Sequence, residues 1–174
     1  MKYLLLIPLA VQALAIFVDE FYFHFSRGLP RWERIGHPLD TLTVLAPILW
    51  MVFTLPTRSN LVIFVILAIF SCVFVTKDEF VHAEVCVPAE HWNHAVLFIS
   101  HPLVFAALAC LWPLLHSPAG GMQLDLAWLE RFRGLEQALP AQALVLAMYM
   151  VYQAVYWNLI YKPRDEQLRP RKEQ

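Results

Sequence analysis

The chain has 174 residues, 59% hydrophobic and 16% charged, with a net charge of -1 and a mean hydropathy of +0.53. That is too apolar for a domain whose whole surface faces water. At roughly 20 apolar residues per bilayer crossing, the length holds about four to six spans and no second globular domain. The absence of a basic excess, with Lys and Arg scattered through loops and tail, argues against nucleic acid as a partner.

Apolar runs predict an all-α, polytopic membrane bundle of five transmembrane helices in a single domain over residues 1–174, with spans at about 3–23, 38–53, 61–75, 95–115 and 141–161. The first run has a basic start and a small-residue Ala13-Leu14-Ala15 stretch, as a secretory signal would. It continues to Val18, however, and ends in an acidic motif that recurs after a full-length span, which favours a helix that stays in the membrane. Residues 56–60 (Pro-Thr-Arg-Ser-Asn) form a turn-rich link short enough to force a hairpin. Segments 24–37 and 76–94 are longer and polar. Between spans four and five, residues 122–139 set Leu124, Trp128, Phe132 and Leu135 among charges and read as a helix in the membrane interface.

Strict alternation puts segments 24–37 and 76–94 on one membrane side with the tail, 162–174. That side holds Arg27, Arg31, Arg34, Lys77, Lys162, Arg164, Arg169, Arg171 and Lys172, against Lys2, Arg58, Arg131 and Arg133 on the other. The excess of positive charge predicts a cytoplasmic C-terminus and polar site, with the N-terminus outside. Cys72, Cys86 and Cys110 form no CxxC pair and leave the redox compartment open.

The chemistry is concentrated in an internal repeat over about 3–56 and 61–115, which makes the first four spans two copies of a hairpin. Asp19-Glu20-Phe21 with His24 closes span one, and Asp78-Glu79-Phe80 with His82 closes span three; Glu33 with His37 and Glu90 with His94 follow. Residues three or four apart share a helical face, so each pair can aim a carboxylate and an imidazole in one direction. Glu20, His24, Glu33, His37, Glu79, His82, Glu90 and His94 are the candidate metal ligands. Asp19, Asp40, Asp78, His91 and His101 are candidates for outer or additional ligands, since metal-bound imidazoles need partners on their second nitrogen. Pro38 and Pro102 follow His37 and His101 directly and are expected to fix helix starts or bends there. In span five, Gln153 and Tyr156 are candidates for lining a substrate cavity. The bland alternative pairs Arg27, Arg31 and Arg34 with Glu20, Glu33 and Asp40 in a solvated cap.

A carboxylate and imidazole set without paired thiols suits iron, manganese or zinc. Ferritin-like bundles build di-iron sites from glutamates and Glu-x-x-His motifs on facing helices, and Glu79-Phe-Val-His82 has that spacing. At motif level the two polar segments and their flanking helix ends resemble membrane-embedded di-iron helical-bundle proteins. They lack the HxxHH box of the membrane desaturases and hydroxylases, with His91-Trp-Asn-His94 only a partial HxxH. The resemblance implies two iron ions that activate dioxygen, with carboxylates bridging and imidazoles as terminal ligands. The expectation is a membrane metal-dependent oxidoreductase acting on a lipid or other apolar substrate, served by an electron-donor protein. Its rivals are a transporter of divalent cations or protons, and a membrane zinc hydrolase.

Overall fold

The computed structural model describes residues 2–116 and 130–161, apart from the side chains of Asp78, Val81, Glu84, Val85 and Glu130. Five helices are long and apolar enough to cross a bilayer: α1 (Lys2–Arg27), α2 (Arg31–Phe53), α3 (Arg58–Lys77), α5 (Pro88–Leu115) and α6 (Ala138–Ile160). A short helix, α4 (Glu79–Val85), leads from α3 to α5.

Two helices begin well before the apolar runs that mark them. Helix α2 starts at Arg31 and α5 at Pro88, so Glu33, His37, Glu90 and His94 all lie on helices and not in polar loops. Pro30 and Val87 are extended residues that cap these starts, and Pro88 occupies a first-turn position where its missing N–H is no loss. The connection between α1 and α2 shrinks to residues 28–30, turned at Gly28 with φ of 74°, a conformation that favours glycine.

Pro38 and Pro102 lie inside α2 and α5 rather than at their starts. A proline cannot donate to the carbonyl four residues back. At Pro38 the carbonyl so released is that of Arg34, and Asn158 Nδ2 on α6 donates to it at 3.0 Å. The interruption in α2 thus ties α6 to it. Two segments, Asp19–His24 at the end of α1 and Tyr156–Ile160 at the end of α6, are π-helical.

Helix α1 lies along α5, while α2 lies along both α6 and α3. The two hairpins of the repeat are therefore not the packing units, since each α1–α2 and α3–α5 partner packs more closely on another helix. Away from the acidic motifs the interior is apolar: Leu45, Ile48 and Met51 of α2 meet Phe64 of α3, Val104, Leu108 and Leu111 of α5, and Leu139 and Leu146 of α6. The outside is apolar too, with Leu14, Phe17, Ile66, Ile69, Met148 and Val151 exposed. An apolar exterior around an interior that is polar at one end suits lipid as the surrounding solvent. Residues 122–129 of the interfacial helix expected over 122–139 lie outside the described residues, as does the tail. Its described part is a 3-10 turn, Glu130–Phe132, followed by Leu135 and Leu139, which are buried in the core.

Leu108 has no exposed surface. Truncating Leu108→Ala should lower stability by about 2–5 kcal/mol, seen as an earlier unfolding transition of the detergent-solubilised chain, with the polar end of the bundle unaffected.

Candidate metal centre

The acidic motifs converge inside one end of the bundle. Glu20, Glu33, His24 and Glu90 are all at most 1% exposed, and Asp19, His82 and His94 are also buried. Three groups of side chains bring potential ligand atoms within 4.8 Å of one another: His24, Glu33 and His37; Glu79, His82 and His94; and Asp19, His24 and Glu90. Ligands on opposite sides of an ion with bonds of ~2.1 Å are roughly 4 Å apart, so each group needs little closure to hold one.

Two carboxylates connect the first two groups. Asp19 places Oδ2 3.1 Å from His24 Nε2 and Oδ1 3.1 Å from His94 Nε2. Glu33 places Oε2 3.7 Å from His37 Nε2 and Oε1 3.9 Å from His82 Nε2. The histidines form two close ring pairs, His24 with His37 at 4.7 Å and His82 with His94 at 4.4 Å between centroids. Glu79 Oε1 faces the second pair, 3.7 Å from His82 Nδ1 and 3.3 Å from His94 Nδ1. Buried atoms are normally hydrogen-bonded, yet Glu33 Oε1, His37 Nε2, Glu79 Oε1 and His94 Nδ1 make no hydrogen bond. Orphaned acceptors facing one another are what a cation would satisfy, so the residues fit a metal by geometry as well as by donor type.

Asp19 owes its position to the π-helical turn. Bonding from i to i+5 widens the turn, so Asp19 and His24, five apart, meet on one face although α-helical spacing would part them. Glu20 faces elsewhere and belongs to none of the three groups. It accepts from Trp157 Nε1 at 2.6 Å, Tyr152 Oη at 2.9 Å and Tyr149 Oη at 3.3 Å, all from α6, and pairs with His24 Nδ1 at 3.2 Å. These partners occupy both of its oxygens and fix the His24 ring with Nε2 toward Asp19.

Arg27 is the main countercharge. Its Nη2 lies 2.6 Å from Glu33 Oε2 and 3.0 Å from Glu90 Oε1, and its Nε also donates to Glu90 at 3.1 Å. The expected arginine pairing is thus present at Glu33, but as a half-buried arginine bridging two buried glutamates and not as a solvated cap. Asp40 pairs with Lys77 Nζ at 2.6 Å, 3.9 Å from His37, and so stands beside the groups. His91 is half-buried with Nδ1 3.9 Å from Glu79. Asp78 has no described side chain. Burial, opposed by Arg27 and reinforced by Glu90, pushes the Cys86 thiol up, so it stays protonated and makes a poor thiolate donor.

His101 shares the face of His94 but uses both ring nitrogens otherwise. Gln12 Nε2 lies 3.4 Å from Nδ1, and Ser71 Oγ lies 3.0 Å from Nε2. Ser71 in turn meets Thr43 Oγ1 at 3.1 Å, and Thr43 donates to the Asp40 carbonyl at 2.8 Å. One assignment satisfies the whole chain: Gln12 donates to His101, His101 to Ser71, Ser71 to Thr43. His101 is then neutral, with no lone pair left for a metal. A cavity of about 130 Å³ runs from Asp19, His24, His37, His82 and His94 to Gln12, His101, Tyr149 and Gln153. Gln153 lines this cavity, while Tyr156 stacks between Phe25 and Tyr152.

Sequence reasoning missed Arg27 as a bridge, Asn93, which donates to Asp19 Oδ1 at 3.3 Å, and the donors to Glu20. The polar aromatic face of span five, Tyr149, Tyr152 and Trp157, was the visible signal for the last. No protein-family model, curated protein or solved structure matches the chain. What the fold and the site define is an all-α, five-helix bundle with buried His, Asp and Glu clusters able to bind metal.

Arg27→Met strands two buried carboxylates and should cost about 3–5 kcal/mol. Adding Glu33→Gln and Glu90→Gln to it should recover a large part of that loss in the same unfolding assay. A triple variant no more stable than Arg27→Met would show that the bridge does not neutralise these groups.

Proposed function

We propose that the chain is a membrane-embedded, metal-dependent oxidoreductase that holds two iron ions at the cytoplasmic end of its bundle and oxidises a lipid or other apolar substrate with dioxygen. The observation that carries this reading is that Asp19 and Glu33 each reach a histidine of both ring pairs. Asp19 and Glu33, together with His24, His37, His82, His94 and Glu79, would hold the ions. The reading keeps the kind of ligand set that the di-iron resemblance implies and exchanges two neighbours: Asp19 would be the ligand, and Glu20 the outer carboxylate that orients His24 through Nδ1.

The bound metal would supply the oxidising power. The protein's own part is positioning and exclusion. Arg27 offsets the charge of Glu33 and Glu90, so that an acidic ligand set can persist out of water. Tyr149, Tyr152 and Trp157 hold Glu20, and Glu20 holds His24. The cavity brings an apolar substrate beside the centre, with Ile16, Val44, Leu97 and Leu146 as walls. An electron-donor protein would dock at the same membrane end, where positive charge concentrates. The packed core around Ile48, Met51, Leu108 and Leu111 favours an enzyme over a transporter, because the polar interior does not continue through it.

Metal content by plasma mass spectrometry on the full chain in detergent tests the reading. About two irons per chain are expected, lost in His37→Ala and His82→Ala and kept in His101→Ala. One zinc per chain would favour the hydrolase, and no bound metal in fresh protein would sink the metal centre.

A further inference from the structure

The cavity has a second end that the metal-binding groups do not use. Along α5, His101 lies seven residues beyond His94, a rise of about 10 Å toward the bundle interior. Along α1, Gln12 lies seven residues before Asp19, at a similar depth. On α2, Thr41 follows His37 by four. These positions carry no formal charge. The hydrogen-bond chain from Gln12 through His101 to Thr43 uses the Gln12 amide N–H and leaves its Oε1 with no partner among the described residues. Thr41 Oγ1 donates to Gln153 Oε1 at 2.7 Å, and the Gln153 amide NH2 has no described partner. Both glutamines are more than nine-tenths buried, and both line the cavity. An amide group that lines a cavity without a protein partner is costly to leave dry, so both glutamines favour an occupant that can bond them.

We propose that this end of the cavity is the substrate pocket, and that it takes a neutral molecule, or the end of one, of about six carbons bearing a single hydroxyl or carbonyl. The volume sets an upper limit on size: the whole cavity, the histidine end included, is about 130 Å³, a little under the roughly 150 Å³ that accommodates benzene. Neutrality follows from the lining. Gln12, Thr41, Gln153 and the neutral His101 offer hydrogen bonds but no countercharge, and the acids that line the cavity, Asp19 and Asp40, stand beside His24 and His37 and are already paired, so a carboxylate or ammonium seated at this end would be buried unpaired. A hydroxyl is satisfied twice, donating to Gln12 Oε1 and accepting from Gln153; a carbonyl is satisfied once, by Gln153. The apolar remainder lies along Val44, Leu97 and Leu146 toward the histidines. Calling the occupant a substrate rests on the proposed metal centre; its binding does not.

Titration calorimetry on the full chain in lipid nanodiscs, with empty nanodiscs subtracted, tests this using cyclohexanol, cyclohexane and cyclohexanecarboxylate. Cyclohexanol is expected to bind best, with cyclohexane about fivefold weaker, the worth of one neutral hydrogen bond, and the carboxylate weakest. Gln153→Leu and Gln12→Leu should each bring cyclohexanol down toward cyclohexane, while Val44→Phe should block both. Should one glutamine variant fail to fold, the other still decides. Cyclohexanol binding that is absent in the wild type, unchanged in the glutamine variants, or no tighter than that of the carboxylate overturns the pocket. Metal content read on the same samples keeps the two readings apart: cyclohexanol bound by metal-free protein supports the pocket and not the centre, and metal retained without cyclohexanol binding does the reverse.

Discussion

A carboxylate withdrawn from water must find donors or a countercharge, and three glutamates here, Glu20, Glu33 and Glu90, have almost no exposed surface. Leaving one unpaired costs several kcal/mol, so the helices at this end are arranged by the demands of these groups. Glu20 takes its donors from Tyr149, Tyr152 and Trp157, which joins the end of α6 to the end of α1 although those helices do not lie side by side. Glu33 and Glu90 share Arg27, which joins α1, α2 and α5 at one point. Apolar packing organises the other half of the bundle, where Leu108 and Ile48 sit fully buried among hydrophobic side chains.

The same demand explains why two adjacent acids face different ways. On an α-helix, Asp19 and Glu20 would stand about 100° apart, and only Glu20 would share a face with His24. The π-helical turn brings Asp19 round as well, so His24 is held between both, with Nδ1 at Glu20 and Nε2 at Asp19. A π-turn costs regular hydrogen bonding, and such turns gather at functional sites. Here the Asp19–His24 contact is the visible return. The π-turn of α6 stands beside it: Trp157, the shortest contact of Glu20, lies in that segment.

Much of this could be read from the sequence, and the failures have a common cause. Spans were legible because each contains enough consecutive apolar residues to cross a bilayer, whatever it packs against. Their polar starts were not, since Arg31 to His37 and Pro88 to His94 look like loops if a spanning helix is assumed to be apolar throughout. Pairs such as Glu33 with His37 and Glu79 with His82 were legible from spacing within one helix. Contacts between helices, Arg27 to Glu90 or Asp19 to His94, depend on which helix packs on which, and the repeat suggested hairpins where the packing pairs α1 with α5. His101 shows the limit of periodicity most directly: its face was read correctly, but the hydrogen bonds that occupy its nitrogens come from Gln12 and Ser71, on two other helices.

Polarity inside the bundle therefore falls off in steps. Charged groups sit at the helix ends, a neutral hydrogen-bonded layer of Gln12, His101, Ser71, Thr43, Thr41 and Gln153 lies one to two turns deeper, and beyond it the interior is hydrocarbon. A cation moving inward would leave the carboxylates behind and then meet a core with nothing to replace its hydration. A neutral molecule entering the same cavity meets the opposite conditions, since it loses little on leaving water and finds the open amides of Gln12 and Gln153. Charged side chains, with the unpaired atoms of Glu33, His37, Glu79 and His94, thus stand at one end of the cavity and neutral hydrogen-bonding groups at the other.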